Sequence, residues 1–148
     1  MTDDTTLRIE RLIDASPEAV FRVWTTREAM ESWYRDGDDF VARVVDLDVR
    51  VGGSYRVEFG PRDQEPFVEY GVYLEIDAPR RLVMSETLEG VETPWANTKV
   101  TVELEEENGK THLVLLHENF PTPAHRDNAS GGWPGFIDRI ERLVSRSG

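Results

Sequence analysis

The 148-residue chain contains no cysteine. That single absence excludes thiol catalysis, thiolate metal sites and disulfides together. Lysine is scarce too: of 17 basic residues only Lys99 and Lys110 are lysines, against 29 acidic residues. The resulting formal charge of −12 repels a phosphate backbone and an anionic bilayer, so neither nucleic acid nor membrane is expected as a partner. No apolar run approaches the ~18 residues of a membrane span. Residues Met1 to Thr6 carry neither the basic nor the apolar region of a signal peptide, so a cytoplasmic location is expected. The Gly-x-Ser-x-Gly elbow, the P-loop, the Gly-x-Gly-x-x-Gly fingerprint and the His-Glu-x-x-His helix are also missing. Their absence removes the simplest hydrolase, kinase, dehydrogenase and zinc-enzyme readings. His112 and His117 fall on opposite faces of one strand and His125 in a loop, so no metal and no cofactor is expected.

What is present reads as one domain spanning residues 1–148, with no repeat and no long linker. Leu7, Ile9 and Ile13 mark a first strand over residues 6–14, with Arg11 in the apolar register. Ser16-Pro17-Glu18 combines a cap, a proline at the first helical position and an early acid, and opens a short helix with Val20, Phe21 and Trp24. A second short helix follows Thr26 with Met30, Trp33 and Tyr34. From Phe40 to Asn119 the pattern is nearly all strand: Val41 to Val51, then Tyr55 to Phe59 after the Gly52-Gly53 turn, then Phe67 to Ile76 and Leu82 to Thr87. Val68, Tyr70, Val72, Leu74 and Ile76 share one face of the third of these. Trp95 is placed on the loop that follows Gly90.

Asn108-Gly109 is a strong signal for a two-residue type I′ turn and fixes a hairpin register. Glu107 then faces Lys110, Leu104 faces Leu113, Val102 faces Leu115 and Val100 faces His117. One face is apolar except for His117, which therefore points inward. At the C-terminal end Trp133, Phe136, Ile137, Ile140, Leu143 and Val144 form a helical stripe, with Asp138, Arg139, Glu141, Arg142 and Arg146 on the other side. Pro134 limits the regular helix to the residues beyond it, unless Thr122-Pro123 opens an earlier turn. The order is strand, two short helices, six strands and a long helix. It describes an α+β protein whose antiparallel sheet buries its concave face under the last helix and leaves room for a cavity.

These residues resemble the activator of Hsp90 ATPase homologues, a branch of the SRPBCC or START-like superfamily. The resemblance is carried by Ala15-Ser16-Pro17-Glu18-Ala19-Val20-Phe21, Trp33, Gly52-Gly53-Ser54-Tyr55, Ala78-Pro79-Arg80-Arg81-Leu82-Val83, His117 with Asn119-Phe120, and Gly132-Trp133. It implies a helix-grip fold, in which a curved seven-stranded antiparallel sheet wraps around a long C-terminal helix. Members of the superfamily bind lipids, polyketides, hormones or other proteins, and a few catalyse ring closure. The family often has an aromatic residue where this chain has Glu86, so the cavity is not expected to be purely apolar.

Three polar residues occupy inward registers: Arg11, Glu86 and His117. A buried charge needs a partner, so Arg11 satisfies Glu86 or His117 structurally, or the three orient the polar end of a ligand. Trp133 and Phe136 are candidates for the helix-side wall, Tyr55 and Phe59 for the sheet-side wall, Trp95 for the mouth, and Trp33 for the adjoining helix. The same aromatics also serve as core. The expected function is binding of a small hydrophobic or amphipathic molecule. The alternatives are a polyketide cyclase or hydrolase-like enzyme using His117 or Glu86, and a co-chaperone-like interaction module or homodimer.

Overall fold

Asn108 and Gly109 both have positive φ, 54° and 81°, as a type I′ turn demands. The computed structural model describes residues 4–145, so residues 1–3 and 146–148, Arg146 among them, lie outside the described residues. The turn joins β6 (Trp95–Glu107) to β7 (Lys110–Glu118) in the expected register, residue for residue from Glu107↔Lys110 to Lys99↔Glu118.

Around this hairpin the sheet is assembled by sequential antiparallel pairing. Strand β5 (Arg81–Glu89) pairs with β6, β4 (Phe67–Asp77) with β5, β3 (Ser54–Pro61) with β4, and β2 (Phe40–Leu47) with β3. The first strand, β1 (Leu7–Ile13), pairs with β7, giving seven strands in the order β1-β7-β6-β5-β4-β3-β2. Register shifts at Val44/Asp46, Tyr73/Glu75 and Glu86/Leu88 are bulges that bend the strands and curve the sheet. Two short helices, α1 (Pro17–Thr25) and α2 (Arg27–Trp33), separate β1 from β2, and α3 (Pro123–Val144) closes the concave face. The architecture is α+β, of the helix-grip type.

Helix starts follow local chemistry. The Ser16 hydroxyl accepts from the Ala19 amide at 3.2 Å, and Pro17 occupies the first turn. The Thr122 side chain accepts from the His125 amide at 3.3 Å and opens α3. The helix runs through Pro134, so the earlier start is the one taken. Ala129, Trp133, Ile137 and Ile140 are its buried stripe, whereas Leu143 is 45% exposed and lies outside it.

Three sequence expectations need correction. Strand β2 ends at Leu47, not Val51, because the chain folds back at Gly53, where a Cβ would sit 2.0 Å from the Asp48 carbonyl oxygen. In β4 the core takes Glu69 and Tyr73, while Val72 and Leu74 face outward at 38% and 44% exposure. The neighbouring strand sets this: Tyr55, Val57 and Phe59 pair with Gly71, Glu69 and Phe67, so the odd-numbered residues of β4 share the inward face as far as Tyr73. Beyond the bulge at Tyr73/Glu75 it is Ile76 that packs against the core. Trp95 belongs to strand β6 and is buried, not on a loop.

Arg11 is the third polar inward residue and meets neither proposed partner. It pairs across to Leu113, well along β1 from the Leu7↔His117 pair, and its guanidinium binds Asp138 at 2.5 Å and Glu141 at 3.2 Å on α3. The cation reaches the helix carboxylates at the rim of the sheet, where water still screens it. Arg11→Met is therefore expected to cost no more than ~1 kcal/mol in urea unfolding. A cost of ~3–5 kcal/mol, the signature of a broken buried pair, would contradict this placement.

Candidate functional site

The site is built on the concave faces of β4, β5 and β6, beneath the first half of α3. Glu69 on β4 lies opposite Leu88, and Glu86 on β5 lies opposite Thr98. Both carboxyls are buried, at 7% and 3% exposure, and they hydrogen-bond each other. The Tyr34 hydroxyl, brought in by α2, donates to Glu69 Oε2, and Trp95 Nε1 donates to Glu86 Oε2 at 3.0 Å. Two buried carboxylates in contact cannot both stay ionised, so the pair retains a proton. Burial pushes Glu69 up to about 7. Burial and the charge of Glu69 push Glu86 well above the usual carboxylate range, so Glu86 holds the shared proton.

His117 is locked behind this pair. It is fully buried; its Nδ1 accepts from Trp133 Nε1 at 3.0 Å, and its Nε2 lies 2.8 Å from Thr98 Oγ1. Thr98 in turn donates to the Glu86 backbone carbonyl at 2.8 Å. An indole can only donate and the threonine hydroxyl has spent its proton, so the imidazole is neutral with its proton on Nε2. Burial accordingly lowers the His117 pKa to about 3. The 3.3 Å approach of Nε2 to Glu86 Oε2 is thus a dipolar contact and not an ion pair.

Above the carboxyls lies an open cavity of about 280 Å³, near the small end of the ~300–1,000 Å³ range of small-molecule sites. Glu69 and Glu86 form its floor; Phe59, Trp95, Trp133 and Phe136 form its walls. The segment Val91 to Thr93, with Asn128 and Gly132 of α3, surrounds its mouth. A Cβ on Gly132 would meet nothing within 4 Å, so this helix position is left open toward the cavity.

Five of the residues singled out in the sequence therefore line the cavity: Phe59, Glu86, Trp95, Trp133 and Phe136. Four do not. His117 stands behind Trp133 and Glu86, and Arg11 is at the far end of β1. Trp33 packs under α1 with its Nε1 on the Val23 carbonyl at 2.8 Å, and Tyr55 gives its hydroxyl to the Ser85 carbonyl at 2.7 Å. Glu69, Leu88, the Val91 to Thr93 segment, Asn128, Ala129 and Gly132 were missed. The β3–β4 register carried the signal for Glu69. For Gly132 it was a glycine pair inside a helix, where each glycine costs about 1 kcal/mol relative to alanine.

Among the described residues no cluster of three or more metal-ligating side chains occurs, and no helix is long and apolar enough to cross a membrane. Similarity to known structures extends over nearly the whole chain. Protein CV1439 from Chromobacterium violaceum is 26% identical, with a TM-score of 0.85 over 96% of this chain and 98% of that one. A Staphylococcus epidermidis protein is 23% identical, with a TM-score of 0.79 over 97% of this chain and 92% of that one. The AHSA1-like protein from Aeromonas hydrophila is 23% identical, with a TM-score of 0.76 over 93% of this chain and 90% of that one. No curated protein matches the chain. The family model for activator of Hsp90 ATPase homolog 1-like proteins matches residues 14–145, and the chain belongs to that family.

Proposed function

We propose that the protein binds a small hydrophobic or amphipathic molecule between α3 and the sheet, with the molecule's polar end on the Glu69–Glu86 floor. The observation that carries this reading is an open, aromatic-walled space ending on buried polar groups. Four aromatic rings approach it without filling it, which in a packed interior leaves apolar surface without partner atoms. The reading takes the protein to be cytoplasmic, with no nucleic-acid or membrane partner, and the charge of −12 supports it.

A neutral aromatic such as 2-naphthol is a direct probe. At a hundredfold excess over Kd, binding stabilises by ~2.7 kcal/mol, a rise on the order of 5–10 °C in Tm for a domain of this size. Tryptophan emission is expected to change with it, since Trp95 and Trp133 are wall residues. Gly132→Leu fills the mouth with a better helix former and is expected to abolish both responses without lowering the Tm of the free protein. Equal responses from Gly132→Leu and the parent would refute cavity binding.

A catalytic alternative, a cyclase- or hydrolase-like proton transfer, rests on Glu86, whose protonated carboxyl faces the cavity. Its mark is turnover that Glu86→Gln removes while ligand-induced stabilisation survives.

A further inference from the structure

We propose that the molecule accepted by this cavity is a hydrophobic amine, bound as its ammonium ion with the cationic head on the Glu69–Glu86 pair. The inference rests on the cavity reading above and specifies its ligand class. Three lining residues carry carboxyls, Glu69 and Glu86 on the floor and Glu92 at the mouth, and no lining residue is a lysine or arginine. The nearby cation is committed elsewhere. Arg139 Nε donates to the Trp33 carbonyl at 2.8 Å, its Nη1 reaches Asp36 at 3.3 Å, and its guanidinium lies 5.1 Å from the centroid of Phe136.

The other polar groups facing the pair are also accounted for. Tyr34 from α2 spends its proton on Glu69, Tyr55 from β3 on the Ser85 carbonyl, and Trp95 from β6 on Glu86. Tyr73 from β4 stays protonated, its pKa raised by burial, and His117 from β7 is neutral with both nitrogens engaged. The floor itself thus offers the carboxyl oxygens of Glu69 and Glu86, and its only proton is the one they share. A carboxylate or phosphate ligand meets like charge and no cation there, and a neutral ligand gains only a hydrogen bond. An ammonium gains the carboxylate charge, three donors' worth of hydrogen bonding and the faces of the surrounding indole and phenyl rings. The acidic surface raises the local concentration of cations in the same sense.

Binding of an ammonium favours full ionisation of the pair, so the proton shared by Glu69 and Glu86 passes to solvent. Amine affinity is therefore expected to rise with pH as Glu69 ionises at about 7, where an alkylamine remains charged. Affinity for an uncharged analogue is expected to stay level or fall.

The test uses three probes with one body: 4-phenylbutylamine, 4-phenylbutan-1-ol and 4-phenylbutyrate. Titration calorimetry in two buffers of different ionisation enthalpy gives both affinity and protons released. The amine is expected to bind on the order of tenfold more tightly than the alcohol, with proton release, and the carboxylate most weakly. The double variant Glu69→Gln, Glu86→Gln keeps side-chain size and removes the charge. In it, amine and alcohol are expected to bind alike and proton release to vanish. An amine no tighter than the alcohol in the parent, or an amine preference that survives the double variant, overturns the proposal. If the alcohol binds the parent and not Gly132→Leu, the cavity reading stands in either case. If no probe binds the parent, both readings fall.

Discussion

Stability is expected to fall as the pH is raised above about 5, and to fall less steeply in Glu86→Gln. Glu69, held at about 7, and Glu86, held well above its ordinary value, keep protons in the folded state that the unfolded chain has released above its pKa of 4.5. The native state then binds more protons than the unfolded one, and each such group costs ~1.36 kcal/mol per pH unit until it too ionises. For Glu69 alone the accumulated cost is on the order of 3 kcal/mol by pH 8. His117 acts oppositely. With its pKa pushed down to about 3, it stays neutral while the unfolded imidazole protonates below 6.5, so its contribution is lost as the pH drops from 6.5 toward 3. Between 4.5 and 6.5 two carboxyls oppose one imidazole, and acid still stabilises; below that window the histidine wins. Urea unfolding across pH measures the curve. The acidic surface also repels itself more at high pH, so the decisive quantity is the difference between parent and variant. Parallel curves for the two proteins would show that Glu86 titrates normally and that the proton is not shared.

Trp133→Ala is expected to cost ~3–5 kcal/mol, the usual range for emptying a large buried aromatic site, and to abolish the naphthol response. That variant alone confuses binding with folding, and Trp133→Phe separates them. The phenyl ring keeps most of the packing against Trp24 and Phe136, whose centroids lie 6.5 and 5.8 Å away, but it has no N–H for His117. A cost of ~1–3 kcal/mol is expected from the stranded acceptor. The parent imidazole should show one bare Nδ1 and one protonated Nε2 by nitrogen NMR. In the phenylalanine variant the His117 pKa is expected to move upward from about 3, because the buried Nδ1 has lost the bond that opposed protonation. An unchanged tautomer, pKa and stability in Trp133→Phe would mean that the indole does not hold the ring.

The fold was legible because local chemistry and global pairing agree. The Asn108-Gly109 turn alone specifies β6 against β7, and Ser16-Pro17 and Thr122-Pro123 specify where two helices begin. The site was legible only in part. His117 stands out as a polar residue in the apolar register of β7, whose pairing the turn fixes, and Glu86 as one that shares the β5 face of Leu82 and Met84. Glu69 was hidden, because Val68, Tyr70, Val72 and Leu74 form a more apolar alternation than the face that is buried. Sequence periodicity reads hydrophobicity, whereas the register with β3 decides burial, and here the two disagree. Arg11 was read inward on the same logic. Its long side chain instead carries the charge out to α3, a freedom that register arguments do not contain.

The pairing of β1 with β7 sets the schedule on which this molecule acquires its interior. Strand β1 precedes every other strand of the sheet yet hydrogen-bonds to β7, the last of them, and the helix that roofs the concave surface is made later still. A growing chain must therefore hold a half-built, water-exposed bowl until both β7 and α3 have been made, which favours slow closure and transient exposure of apolar strand faces. Moving β1 to follow α3 by circular permutation would leave the contacts unchanged, bring its pairing partner close in sequence, and shorten that vulnerable interval.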